Sequence, residues 1–292
     1  MKETLEALYA QYRSAQYLDS DPLALVHNHI ADEERDIEVI ALLCALFAYG
    51  RVSAIQSFLQ DLLESLSDHP SDFLARTTPA SLDRVGLPYY RFQSARDVRS
   101  ILLRIGALIR ESNIAHRSGG QSPLPLERHF GNPSTSTILR IAHFQRSFLQ
   151  GVPKSHRTPG LLHWIGQADG RGARKRLCMF LRWMVRKEHP DLGLYSSFSP
   201  DKLIVPLDVH IGRIGRNLNL TSRKTQDWEM AAQISGGLSR LCPEDPLRYD
   251  FALTRPGILG QCRGTWHAKI CPNCELRTIC AQTEGRFSTE GQ

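Results

Sequence analysis

Six stretches of this chain place apolar residues three and four positions apart: Ile37–Phe47, Ile55–Leu66, Val98–Ile109, Ile138–Leu149, Leu177–Val185 and Ile211–Leu218. That spacing lines apolar side chains along one face of a helix, and such a face must be buried against another element. No region alternates apolar and polar residues long enough to demand a sheet, so the pattern predicts an all-α fold. Pro79, Pro88, Pro190, Pro200 and Pro206 punctuate the helices, because proline has no N–H to donate and its ring clashes with the preceding turn. The chain has 292 residues, 41 % hydrophobic and 23 % charged, enough for one large domain or two small ones with an ordinary core. The longest apolar run, Val39–Tyr49, is too short to cross a bilayer. Met1-Lys2-Glu3-Thr4 opens an amphipathic helix rather than a secretory signal. A cytoplasmic protein with no membrane partner is expected. The segment Ser112–Pro133 is rich in Ser, Gly and Pro and reads as a long loop or insertion.

The net charge of +6 favours a polyanionic partner, since Lys and Arg that neutralise phosphates release condensed counterions. Of seven cysteines, Cys44, Cys178 and Cys242 are scattered, while Cys262, Cys271, Cys274 and Cys280 crowd together near the C-terminus. An odd count without a secretion signal argues for a metal site over a disulfide framework. The spacing C-x8-C-x2-C-x5-C lets four thiolates converge on one soft centre, either a four-iron cluster or a tetrahedral zinc. Zinc ribbons typically use two C-x-x-C pairs and this chain has one, which favours a [4Fe-4S] cluster.

Two further segments carry chemistry. In LIVPLDVHIGRIGRNLNL (Leu203–Leu220), Pro206 ends the preceding structure and Asp208 stands where a helix N-cap belongs,. An Asp there caps the helix; facing a cleft, it also stabilises developing positive charge or activates a water. In IGQADGRGARKRLCMFLRWMVR (Ile165–Arg186), Gly170 and Gly172 mark a tight turn into an amphipathic helix, crowded by Arg171, Arg174, Lys175 and Arg176. Backbone amides at such a helix start can hold a phosphate.

The order Gly170-Arg171-Gly172, then Pro206-Leu207-Asp208-Val209-His210, then four cysteines resembles the helix-hairpin-helix DNA glycosylase superfamily, which includes endonuclease III, adenine glycosylase and 8-oxoguanine glycosylase. Those proteins place a Gly-x-Gly hairpin before a helix, then a Val/Pro-x-Asp-x-His segment, and, in members with a cluster, C-x6-C-x2-C-x5-C. Ile37–Ser53 looks like the superfamily's apolar first core helix, and Val85–Leu103 like its G-F-Y-x-x-K-A helix. The resemblance spans Asp36 to Cys280. It looks closest to a bacterial branch in which a KR-L-x-x-F-L-R-W-M-V-R helix recurs, here Lys175–Arg186. There are three departures. The first cysteine loop is two residues longer than in endonuclease III. Extra residues stand at 188–203. The Schiff-base lysine position falls on Arg174, one residue before Lys175, and one residue turns a helical side chain by about 100°.

What the resemblance implies is an iron–sulfur DNA N-glycosylase of base-excision repair, a monomer acting on double-stranded DNA. Two helical subdomains would flank a cleft with a helix-hairpin-helix motif. The implied organisation is an N-terminal helical extension (1–35), a first helical part (36–160) holding the insertion near 112–133, and the hairpin and catalytic-Asp part (161–261). A cysteine loop (262–281) and a disordered tail (282–292) follow. The base would be flipped out, with Asp208 stabilising the sugar cation and Lys175 as nucleophile, or water attacking in its place. Gly170, Arg171, Gly172, Arg174, Arg263 and Lys269 would contact DNA, helped by His267. Tyr49 and Arg51 follow the first helix where relatives insert a wedge. Cys262, Cys271, Cys274 and Cys280 would hold the metal in a structural role. The alternatives are a non-catalytic nucleic-acid binder on the same scaffold, or another nucleic-acid hydrolase.

Overall fold

The computed structural model describes residues 1–18, 21–117 and 124–282. Among them every regular element is helical, joined by short 3-10 turns and isolated bridges. In chain order the α-helices are α1 (Lys2–Tyr12), α2 (Leu23–His27), α3 (Glu34–Leu46), α4 (Val52–Glu64), α5 (Pro70–Arg76), α6 (Pro79–Leu82) and α7 (Ala95–Arg117). They continue with α8 (Thr137–Gln150), α9 (Pro159–Ile165), α10 (Lys175–Val185), α11 (Val209–Asn217), α12 (Trp228–Ser239) and α13 (Asp250–Ile258). Each of the six periodic stretches falls on one of these helices, with Phe47, Leu66 and Leu218 one or two residues past the helix end. None of the helices is long and apolar enough to cross a membrane.

The chain forms two compact units, each discontinuous in sequence. One holds Leu18–Gly170 and Trp183–Phe198; the other holds Met1–Tyr17, Arg171–Arg182 and the chain from Ser199 onward. The first unit is built on α3, whose residues from Asp36 to Leu46 are all buried. A helix apolar on every side belongs inside, and α2, α4 and α5 pack around it,. Helix α7 packs on α5 at backbone distance, because a Cβ at Gly106 would stand 2.2 Å from the carbonyl oxygen of Leu74. Phe47 closes the core against Phe58 and Trp164, with ring centroids 4.7 and 5.7 Å away.

Two acidic residues sit inside this apolar helix, and both are satisfied by backbone donors. Asp36 Oδ1 accepts the Ser71 N–H at 2.7 Å, at the start of α5, which has no side-chain cap of its own. Glu38 accepts the N–H groups of Leu126 and Glu127, both at 3.0 Å, and the Tyr195 hydroxyl at 2.7 Å. Burial pushes the Glu38 carboxyl from an ordinary 4.5 up to about 8, against the pull of those three donors. Glu127 is buried as well and takes the Ser197 N–H at 2.7 Å. Arg140 donates to the Ser197 carbonyl and hydroxyl at 2.6 and 2.8 Å, and burial lowers its guanidinium to about 10.

The long loop or insertion read over Ser112–Pro133 needs correction at its start. Helix α7 runs through Ser112 to Arg117. Beyond residues 118–123, which lie outside the described residues, Leu124, Leu126 and Phe130 are buried, and Ser112 Oγ donates to the Pro125 carbonyl at 2.6 Å. Three apolar anchors outweigh the loop-like composition around them. Of the expected disordered tail 282–292, Gln282 donates to Asn217 Oδ1 at 3.1 Å, and residues 283–292 fall outside the described residues.

The second unit packs α1 and α11 on α13, and α12 on α11. Helix α11 is thin where it meets its neighbours. A Cβ at Gly215 would lie 2.6 Å from Ile234 Cδ1 on α12, and one at Gly257 on α13 would lie 2.4 Å from His210 Nδ1. The Gly257 approach lies at the N-terminal end of α11, against His210 two residues after Asp208.

Candidate active site and cysteine loop

Asp208 is the N-cap of α11. Its Oδ1 accepts the N–H groups of His210 and Ile211, each at 2.9 Å, which satisfies two of the donors a helix start leaves open. Its second oxygen is turned elsewhere. Lys175 Nζ, on the first residue of α10, stands 3.6 Å from Asp208 Oδ2. That is an ion-pair distance, longer than a direct hydrogen bond, so the amine is held by charge and stays able to move. The Lys175 side chain is 35 % exposed and that of Asp208 21 %, so a ligand can reach both. The two helix starts bring together an amine, a carboxylate and the positive ends of two helix dipoles.

The hairpin leading into α10 is anchored on α12. Gly172 bridges to Asp227, and the Arg171 carbonyl accepts the Trp228 N–H at 3.1 Å. Asp227 caps α12 through the Met230 N–H at 3.0 Å and pairs with Arg223; the Arg223 hydrogen bond first, then that backbone bond, lowers its pKa. A Cβ at Gly172 would meet nothing within 4 Å. No protein contact demands glycine there, and bare backbone is left open to a close-approaching ligand. Arg174 has φ +49° and lies with its guanidinium 5.5 Å from the Trp228 ring centroid. Of the two residues weighed for the lysine position, it is therefore Lys175 that faces Asp208. Arg171 is exposed.

The C-terminal end of α11 clasps the cysteine loop. Asn217 Nδ2 donates to the Gly264 carbonyl at 3.2 Å, and the Asn217 carbonyl accepts the Ala281 N–H at 2.7 Å. The Arg213 stem lies along Gly264, 3.1 Å from where a Cβ would sit. The loop is pinned inward by Leu276 and presents Arg263 and Lys269 to solvent. Cys262, Cys271, Cys274 and Cys280 are all partly exposed. Burial raises the Cys262 thiol, with Cys280 and Cys271 adding to the rise, and burial likewise raises Cys274, with Cys262, Glu275 and Cys280 adding. The four thiols thus share one electrostatic neighbourhood. The His267 N–H points at Cys271 Sγ, 3.2 Å away, a donor of the kind that stabilises a thiolate. Among the described residues no three His, Cys, Asp or Glu side chains stand close enough to hold a metal ion, so the thiols are neighbours without forming a closed ligand shell. Four soft donors with one N–H already aimed at sulfur suit a cluster or zinc.

In the first unit, Tyr49 is half-buried and Arg51 exposed. The Tyr49 hydroxyl bonds Gln93, and its ring stacks on Phe92 at 6.0 Å and meets His163 edge-on at 4.9 Å. The aromatic surface here belongs to Tyr89 and Phe92, 78 % and 57 % exposed, with the Arg91 guanidinium 5.6 Å from the Phe92 ring. Sequence reading passed over this Tyr-Arg-Phe tip; two large aromatics flanking an arginine in a proline-bounded turn are the signal that could have found it. A cavity of about 580 Å³ in the same unit, floored by Ile40 and Leu63 and rimmed by Asp32 and Glu64, contains none of these residues. Glu38 is fully buried and does not line that cavity.

One family model matches residues 21–259, most of the chain. The chain belongs to that family, described as protein of unknown function (DUF2400). The matched segment includes Lys175 and Asp208 and stops short of the cysteine loop; α1 lies outside it at the other end. No curated protein and no solved structure matches the chain.

Proposed function

We propose that this DUF2400 protein is a DNA N-glycosylase that extrudes a damaged or modified base and cleaves its glycosidic bond. The observation that carries the reading is the Lys175–Asp208 pair, an amine 3.6 Å from a carboxylate oxygen that capping leaves free. The open backbone at Gly172 and the exposed Arg171, at the entry to α10, would hold the phosphate backbone. Arg263 and Lys269 on the cysteine loop would extend that contact, positioning DNA without reading its sequence.

As the C1′–N bond stretches, its electron pair leaves with the base and positive charge grows on the sugar. Asp208 Oδ2 stays ionised and stabilises that charge, while the Lys175 ammonium passes its proton through solvent to the leaving base. The free amine of Lys175 then forms the new N–C1′ bond and becomes a secondary ammonium. That ammonium then gives one proton to O4′ as the C1′–O4′ bond breaks, and the nitrogen pair closes a protonated imine on Lys175, the entry to strand cleavage. A cluster or zinc held by Cys262, Cys271, Cys274 and Cys280 would cross-link the loop that presents Arg263 and Lys269, with no part in base release.

The test is incubation of the purified full chain with a panel of duplexes, each bearing one damaged or modified base, with and without borohydride. Base release and a borohydride-trapped covalent complex are expected, the trap vanishing in Lys175→Ala. Tight binding to every duplex with no base released from any would reject the enzyme reading and leave a nucleic-acid binder.

A further inference from the structure

Helix α1 lies outside the segment that matches the family, as does the cysteine loop, and the two touch each other. The apolar face of α1 is buried through Leu5 and Leu8. Its middle is fixed on the start of α13, where Glu6 takes hydrogen bonds from Arg248 at 3.0 Å and from the Tyr249 hydroxyl at 2.6 Å. The Arg248 guanidinium also lies 4.3 Å from the Tyr9 ring centroid.

The C-terminal turn of α1 is spent on the loop. The Tyr12 ring is 1 % exposed, meets Tyr17 edge-on at 4.9 Å, and its hydroxyl donates to Gln261 Oε1 at 3.0 Å. Gln11 Nε2 donates to Glu275 Oε1 at 3.1 Å. Gln261 immediately precedes Cys262 and Glu275 immediately follows Cys274. Consecutive residues of one helix thus hold the chain neighbours of two separate thiols. A thiolate-bound metal leaves when a ligand swings away and solvent, acid or chelator takes its place. Swinging Cys262 or Cys274 outward strains one of these two bonds.

We propose that α1 is the outer latch of the cysteine site, with Tyr12 and Gln11 holding Gln261 and Glu275 in place so that α1 sets the rate at which a thiolate-bound metal is lost. This rests on the reading that the four cysteines bind a metal. The Tyr12 bond is partly buried and the Gln11 bond exposed, which gives them different chemistry to test. Tyr12→Phe keeps the buried ring and deletes one hydrogen bond. Gln11→Glu sets a like charge against Glu275, and Gln11→Lys an opposite one, at an exposed position.

The full chain is purified anaerobically, its iron, sulfide and zinc are measured, and metal release is followed after adding a chromogenic iron or zinc chelator. Tyr12→Phe should release metal about five-fold faster, the factor one net hydrogen bond supports. Gln11→Glu should speed release and Gln11→Lys slow it, each by about two-fold or more, and both effects should shrink in high salt. Thermal unfolding midpoints should differ by no more than about 2–4 °C across the set, the shift one net hydrogen bond supports. Wild-type protein without metal would overturn both the metal reading and the latch. Metal present in the wild type but released at one rate from all four proteins would overturn the latch alone. So would faster release from both Gln11 variants, because only a charge contact with Glu275 predicts opposite signs.

Discussion

Titrating Glu38 should set the slope of stability against pH in the unit built on α3. Its folded-state pKa is raised by burial to about 8 from an ordinary 4.5. Between those values the native state keeps a proton that the unfolded chain has released, so stability falls as pH rises through this window and the contribution is flat outside it. At about 1.36 kcal/mol per pH unit, the span is worth on the order of 5 kcal/mol. Glu38→Gln removes the titration. It also places an amide NH2 against either the Leu126 or the Glu127 N–H, both of which now donate to a carboxyl oxygen. Two donors then face each other, and one buried N–H goes unmet at a cost of about 1–3 kcal/mol. The two stability curves should therefore cross. Near pH 5 the variant should be the less stable protein by about 1–3 kcal/mol. Near pH 8.5 it should be the more stable, because the wild type has by then lost roughly 5 kcal/mol. Urea unfolding of both proteins at several pH values from about 5 to 9, followed by tryptophan fluorescence, gives the difference directly. A wild-type minus variant difference that stays constant over this range would refute the argument.

Asp208→Asn should fold and bind DNA but release base about a hundred-fold or more slowly, since Asn retains a capping oxygen and loses the charge; Asp208→Ala should lose about 1 kcal/mol of stability besides. Undiminished base release by the Asn variant would reduce Asp208 to a helix cap. Combining Arg171→Glu with Lys269→Glu, both exposed, should weaken binding to all duplexes alike and flatten its dependence on salt by about one unit of slope per lost phosphate contact, as read by fluorescence anisotropy. Gly106→Ala should cost about 1–3 kcal/mol or more in urea unfolding, because its Cβ would stand 2.2 Å from a backbone carbonyl that cannot rotate away.

The parts of this protein legible in its sequence are those set over short distances along the chain. The all-α class and the six periodic helices follow from a repeat of three and four residues. Asp208 as an N-cap follows from its place just after Pro206, since capping involves only the next three residues, and the structure finds its oxygen on His210 and Ile211. The cysteine spacing is legible for the same reason. What tertiary structure alone decided depends on residues far apart in the chain. Which of Arg174 and Lys175 faces Asp208 was settled by the left-handed turn at Arg174, which lays that side chain near Trp228 and leaves the amine of Lys175 beside the start of α11. Glu38 looks misplaced in an apolar helix until its partners appear, 88, 89 and 157 residues away. The composition of Ser112–Pro133 suggested a loop, yet Leu124, Leu126 and Phe130 are buried, because burial is decided by what a segment packs against. Gly215 and Gly257 give no local sign of function, but each faces a side chain of another helix, Ile234 and His210, with less room than a methyl group needs. Hydrogen-bonding and turn chemistry act between neighbours and can be read in order; packing acts between surfaces that exist only once the chain has folded.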